Sequence, residues 1–260
     1  MYALDQCWRQ DPMPSGPFLI PAVGLYEMSK GANPRAGWRE SLLPFTRRPE
    51  LLYIAHAPIT LLKQEIESGF PIQNPINKEL TATFRFLLGK PDWLDILAGD
   101  SPLQFVCSFD SGRDLGNFRI STEETICAIE QHFGPAKMAR IRHESRIRDE
   151  VSKYAVELIP IVDQAFVVEL GSLNVPEQVA FALSDHASFS WRIYFTYWIH
   201  AMQVAMKSRL LQRKDRKLRN DYRDSEYASI ASYCKSLYTA DCLLLKRFDA
   251  LRAALSLSEC

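Results

Sequence analysis

The 260-residue chain lacks any excess of charge: 31 Lys and Arg stand against 31 Asp and Glu, a formal net charge of zero. Global electrostatics therefore select no partner, and only local clusters can. It also lacks a long apolar run. The longest charge-free stretches, 12–26 with its four prolines and 193–206, fall short of the roughly 18 residues a membrane helix needs. The start, Met1-Tyr2-Ala3-Leu4-Asp5-Gln6, holds neither a basic n-region nor an apolar h-region, so no secretory signal is expected. Cysteines are scattered at Cys7, Cys107, Cys127, Cys234, Cys242 and Cys260, with no Cys-x-x-Cys pair, and His56, His132, His143, His186 and His200 stand apart. That spacing argues against a disulfide scaffold and a zinc site, and makes reduced thiols in a cytoplasm the simpler expectation. No Gly-x-Gly-x-x-Gly, no Gly-x-x-x-x-Gly-Lys-Ser/Thr and no Gly-x-Ser-x-Gly occurs, which leaves nucleotide-cofactor, P-loop and serine-hydrolase chemistry without support. Ser184-Asp185-His186 are neighbours in sequence, whereas a nucleophilic triad needs neighbours in space.

What remains is the balance of an ordinary folded protein, 47% hydrophobic and 24% charged. A chain of this length buries roughly three quarters of its unfolded surface and needs no metal to fold. Residues 2–4 read as a short strand ending at Asp5, 11–17 as a loop and 18–20 as a second strand. Pro21 then opens a helix over 22–30, with Gly31 as its stop. From 38 to 206 the pattern is mostly helical, with breaks at Pro71, Pro75, Pro91, Gly99, Gly134 and Pro176; 102–109 reads as a strand or a buried helix edge. Residues 190–219 form a long candidate helix, aromatic first and basic last, followed by a helix over 224–235, a strand at 236–238 and a final helix over 241–257. The α/β signature thus sits at the two ends of the chain, which must meet if the protein is one domain.

Acidic residues stand at the expected strand and helix ends. Asp5 follows the first strand, and ligands of open parallel sheets bind just beyond such carboxyl ends. Glu27 lies within the first helix. Asp224 is expected at the start of the late helix, where the dipole favours negative charge, with Asp221 just before it. Asp241 follows the strand at 236–238. Carboxylates converging on one crevice repel one another and call for a cation, and oxygen-only donors suit Mg²⁺ or Mn²⁺. Such ions supply an activated water and stabilise a phosphoryl transition state.

This arrangement resembles the PIN-domain family, metal-dependent nucleases that mostly cut RNA. Leu4-Asp5 is similar to the family's first-strand Asp, and Ile20-Pro21-Ala22-Val23-Gly24-Leu25-Tyr26-Glu27-Met28-Ser29-Lys30 to its strand–Pro–helix segment with an acidic residue. Asp224-Ser225-Glu226-Tyr227-Ala228 is similar to its late Asp opening a helix, and Tyr238-Thr239-Ala240-Asp241 to its closing Thr-x-Asp. The resemblance covers about 1–65 and 210–257; the middle of the chain exceeds the family's helical region. It implies a PIN-like three-layer α/β fold with a central parallel sheet, built from both chain ends within one domain over 1–260, with a large helical insertion at about 70–205. It also implies an endonuclease that hydrolyses phosphodiester bonds, with RNA the expected substrate. Asp5, Glu27, Asp224 and Asp241 would hold Mg²⁺ or Mn²⁺, Asp221 would assist, and Thr239 would orient the water or a carboxylate.

The run 207–219 carries Lys207, Arg209, Arg213, Lys214, Arg216, Lys217 and Arg219 beside the acidic cluster, a candidate nucleic-acid-binding face with salt-sensitive affinity. The alternative is a basic helix end that complements the dipole at a C-terminus. Lys137, Arg140, Arg142, Arg146 and Arg148 read as a solvated face. The aromatics from Trp191 to Trp198 read as core at helical spacing rather than as a base-stacking platform, and His200 as a satisfied buried histidine. Two other functions stand beside the nuclease: a non-catalytic interaction module on the same scaffold, and a metal-dependent phosphohydrolase of a small ester. Compatible partners are an inhibitor or activator protein, as in a toxin–antitoxin pair, and a second copy of the chain. No membrane partner is expected.

Overall fold

The computed structural model describes residues 2–4, 16–29, 33–99, 121–147, 151–206, 215–239 and 241–258. Four short strands form one sheet: β1 (Tyr2–Leu4), β2 (Phe18–Ile20), β3 (Leu52–Ile54) and β4 (Ser236–Tyr238), in the order β3-β2-β1-β4. Every adjacent pair is parallel. β1 is thus flanked by the strand that follows it in the chain and by the last strand of all. The fold is α/β and mostly helical.

The alternation of strand side chains separates two cores. Phe18 and Ile20 of β2 and Leu52 and Ile54 of β3 face one way. They pack against α1 (Ala22–Ser29), α2 (Pro34–Leu42), α4 (Lys78–Leu88) and α5 (Trp93–Ala98) through Leu25, Trp38, Phe84 and Leu97. Leu19 of β2 and Leu237 of β4 face the other way. There they meet α3 (Pro58–Ser68), α6 (Thr122–Ile147), α7 (Val151–Ser172), α9 (Phe189–Met206), α10 (Asp215–Ala231) and α11 (Cys242–Ser258). A parallel sheet buried on both faces is what a run such as Phe-Leu-Ile requires. The helices of 78–98 therefore lie in one layer and those of 122–206 in the other, packed on the sheet that the chain ends build. α8 (Glu177–Leu183) packs on α7.

α9 is the central helix. All of its residues except Arg192 are buried, including Trp191, Tyr194, Phe195, Tyr197 and Trp198, so the aromatic run is core, as its spacing suggests. Trp191 stacks on Phe195 with centroids 4.6 Å apart. A fully buried carboxylate, Glu65 of α3, closes the start of α9: Oε1 accepts from the N–H of Phe189 and of Ile72, and Oε2 from the N–H and hydroxyl of Ser190, at 2.6–2.7 Å. A negative charge there satisfies otherwise unpaired helix donors and meets the positive end of the dipole.

Two sequence expectations need correction. β3 falls within the region expected to be mostly helical. α6 does break where expected, at Gly134, whose φ of 72° Pro135 follows. The late helix begins at Asp215 rather than 224 and ends at Ala231. Asp221 and Asp224 therefore lie inside α10, with Asp224 in its third turn, and the helix-start argument for their charge does not hold. The strand candidate at 102–109 lies outside the described residues. No described helix is long and apolar enough to cross a membrane.

Candidate functional site

The chain adds β2 and β3 on one side of β1 and then returns to place β4 on the other, so the strand order reverses between β1 and β4. At such a switch point the connections after neighbouring strands diverge and leave a crevice at their carboxyl ends. Leu4 is in register with Tyr238 across that boundary. Asp5 itself lies outside the described residues, as do the side chains of Glu27 and Asp221.

After β4, the Thr239 hydroxyl accepts from the Asp241 N–H at 2.9 Å, and Asp241 Oδ1 accepts from the N–H of Leu243 at 2.7 Å and of Leu244 at 3.1 Å. The Thr-x-Asp thus forms the cap of α11, the role these residue types fill at helix starts. The cap orients Asp241 at the strand tip and commits one of its two carboxylate oxygens.

Asp224 lies on α10. Only four residues separate Ala231 from Ser236, so α10 delivers the chain to the start of β4 and its N-terminal half lies toward the carboxyl edge of the sheet. α10 packs on β1 as well as on α1, and the Asp224 carboxylate is placed against Arg247 of α11. α1 packs directly on α10: a Cβ at Gly24 would lie 2.5 Å from the Tyr227 hydroxyl. Glu27 follows Gly24 by one turn of α1.

The sequence reading missed Arg247. Its guanidinium, with 2% of the side chain exposed, sits among three helices. Nε donates to Gln203 Oε1 at 2.8 Å, Nη2 lies 3.0 Å from His200 Nδ1, and Nη1 lies 3.6 Å from Asp224 Oδ2, whose side chain is 27% exposed. His200, on α9, is buried, as its position suggested, with Nδ1 against Arg247. An arginine always carries its charge, so a buried one must find a carboxylate or cost several kcal/mol. A sequence signal existed: Leu244, Arg247, Leu251 and Ala254 share one helical stripe, and all four are buried. A cation on an apolar stripe is a marked position.

The basic residues divide. Lys207, Arg209, Arg213 and Lys214 lie outside the described residues. Arg216, Lys217 and Arg219 fall in the first turns of α10, with their side chains outside the described set. These three therefore do not end a helix, which corrects the reading of a basic C-terminus complementing the dipole. In the second basic stretch Lys137 pairs with Glu157, Arg142 with Glu130 and Arg140 with Glu144, while Arg148 and the side chain of Arg146 lie outside the described residues. Ser184 donates to the Ala180 carbonyl, while His186 pairs with Asp163 and stacks on Trp191, so Ser184-Asp185-His186 serve separate local contacts.

Among the described residues no group of three or more His, Cys, Asp or Glu is arranged to hold a metal. Asp224 and Asp241 are the two described carboxylates of the expected set; with Thr239 they offer only oxygen donors, a chemistry that fits Mg²⁺ or Mn²⁺. No family model, no curated protein and no solved structure matches the chain.

Proposed function

We propose that this chain is a PIN-like, metal-dependent endonuclease that hydrolyses phosphodiester bonds in RNA. The observation that carries the reading is the switch point: the strands preceding Asp5 and Thr239 are neighbours in register, with Leu4 opposite Tyr238. Two segments nearly the whole chain apart thereby leave the sheet side by side. Asp5, Glu27 and Asp241, with an acid from α10 (Asp224 or Asp221), would hold one or two Mg²⁺ or Mn²⁺ ions. When bound, such ions supply an activated water and offset charge on the phosphoryl group. Thr239 keeps Asp241 oriented through its hydrogen bond, and the basic residues 207–219 would contact the phosphate backbone.

The test is cleavage of single-stranded RNA and DNA with Mn²⁺, with EDTA, and by Asp5→Asn. RNA cutting that needs Mn²⁺ and is lost in the variant is the expected result. Cutting that persists in EDTA or in Asp5→Asn refutes the assignment. A second reading, a non-catalytic interaction module on the same scaffold, draws on the commitment of Asp224 to Arg247 and of Asp241 to a helix cap. It expects no metal dependence and full function after acid-to-amide changes.

A further inference from the structure

The first turns of α9 carry a cation with no carboxylate of its own. Arg192, half-buried, donates Nε to the His186 carbonyl at 3.3 Å and Nη1 to Ser232 Oγ at 3.0 Å. Its guanidinium carbon stands 4.1 Å over the centre of the Tyr233 ring. No carboxylate pairs with it among the described residues. Two of the five guanidinium N–H groups are thereby used, so Nη1 and Nη2 keep a fork for two oxygens of one anion. A second guanidinium opposes the first. Arg252 of α11, exposed, reaches the Cys234 carbonyl at 3.4 Å, and its repulsion adds to burial in holding the Arg192 pKa below the ordinary value. Lys235, also exposed, follows Cys234.

We infer that Arg192 and Arg252, with Lys235 beside them, bind a doubly charged oxyanion of the phosphate-monoester class at the turn between α10 and β4. Like charges held together repel, and a dianion relieves that repulsion more than a single carboxylate does. The acids that act on Arg192 are Glu65 and Asp185. Glu65 is sealed in the interior with both oxygens taken by its four donors, and Asp185 Oδ1 accepts from the Ala187 N–H. The guanidinium is held in place by His186, Ser232 and the aromatic face, so little side-chain freedom is lost when an anion docks. The turn at 232–235 leads into β4 and therefore lies at the amino edge of the sheet, whereas the crevice lies beyond Tyr238 at the carboxyl edge. The anion site is distinct from the proposed metal site and does not rest on the nuclease reading.

The experiment is calorimetric titration of the full chain in EDTA at about pH 8, where a phosphate monoester is a dianion. The probes are inorganic phosphate, a 5′-mononucleotide, a short RNA with and without a 5′-phosphate, and acetate at matched ionic strength. In the expected result phosphate binds saturably, one per chain, and acetate binds at least tenfold more weakly. Arg192→Lys keeps the charge but removes the fork, and should weaken phosphate binding at least tenfold. Arg252→Gln changes an exposed residue and should weaken it at least threefold with an unaltered urea midpoint. Equal affinity for the mononucleotide and the 5′-phosphorylated RNA assigns a free ester as ligand. RNA binding at least tenfold tighter, and lost with the 5′-phosphate, assigns a chain end. The site is overturned by a parent chain without saturable phosphate binding, by acetate binding as well as phosphate, or by RNA binding that persists without the 5′-phosphate. Phosphate affinity unchanged in Arg252→Gln would overturn it as well, even if Arg192→Lys fails to fold.

Discussion

At the scale of single residues, the interior is organised around a few charges that cannot be left bare. Arg247 and Glu65 are both buried, and each fastens α9 to a neighbouring helix, α11 and α3 respectively. Glu65 gives the clearer energetic expectation. Truncating it to Ala leaves the buried N–H groups of Phe189 and Ser190 without their acceptor, at about 1–3 kcal/mol for each donor stranded. Glu65→Ala should therefore cost about 3 kcal/mol or more in urea unfolding. Glu65→Gln should cost less, because its amide oxygen still accepts while the charge opposite the dipole is gone. A loss below about 1 kcal/mol for the alanine variant would show that α9 does not depend on this cap. Residue types were legible in the sequence to this depth: aromatics at helical spacing had to be core. Which polar residue would pair with which was not, because Glu65 and Phe189 lie 124 positions apart.

At the scale of elements, the boundary between α1 and α10 holds the acidic segments of the two chain ends together. Gly24 permits that approach, since a Cβ there would stand 2.5 Å from the Tyr227 hydroxyl oxygen and 3.3 Å from its ring carbon. Helix propensity alone favours Gly24→Ala by about 1 kcal/mol. Overpacking opposes it by typically 1–3 kcal/mol. We expect net destabilisation in thermal or urea unfolding, partly relieved when Tyr227→Phe removes the nearest atom. A more stable Gly24→Ala variant would mean that the two helices have room to spare. The other element-scale lesson is β3. Leu52-Tyr53-Ile54 is a short apolar run whose periodicity cannot separate strand from buried helix; pairing with β2 decides it. The start of α10 is a similar case: 215–219 read as the basic end of a helix over 190–219, whereas they open the helix Asp215–Ala231.

At the scale of the whole molecule, stability should carry a pH dependence traceable to His56, at the carboxyl end of β3. Burial holds its imidazole below the ordinary histidine value of 6.5. The folded pKa being the lower one, the unfolded chain binds more protons, so the contribution is fully present above about pH 6.5 and is lost as the pH falls below it. Glu169 and Asp249 act in the opposite sense, their pKa values raised by burial, so acid favours them folded; Glu144, lowered chiefly by the hydrogen bond from Tyr154, loses its contribution in acid. All three titrate from the carboxylate range. Urea midpoints should therefore fall between pH 7.5 and 5.5, and His56→Gln should flatten that slope. An unchanged slope in the variant would move its origin elsewhere.

The sequence by itself determined the parts that depend on local pattern. It placed strands at 2–4, 18–20 and 236–238, the helices after the second and last of these, the break at Gly134 and the burial of the 191–198 aromatics. It also ruled on absent motifs, which need no fold to be read. Only the tertiary structure decided that four strands lie parallel in the order β3-β2-β1-β4, that the helices of the middle segment cover both faces of that sheet, and that Asp224 faces Arg247. The physical reason is the same in each case. Periodicity records which side of an element is apolar, a local property. Strand order and the pairing of buried charges are contacts between segments up to a whole chain length apart, set by the requirement that every buried polar group and every apolar face find its partner at once.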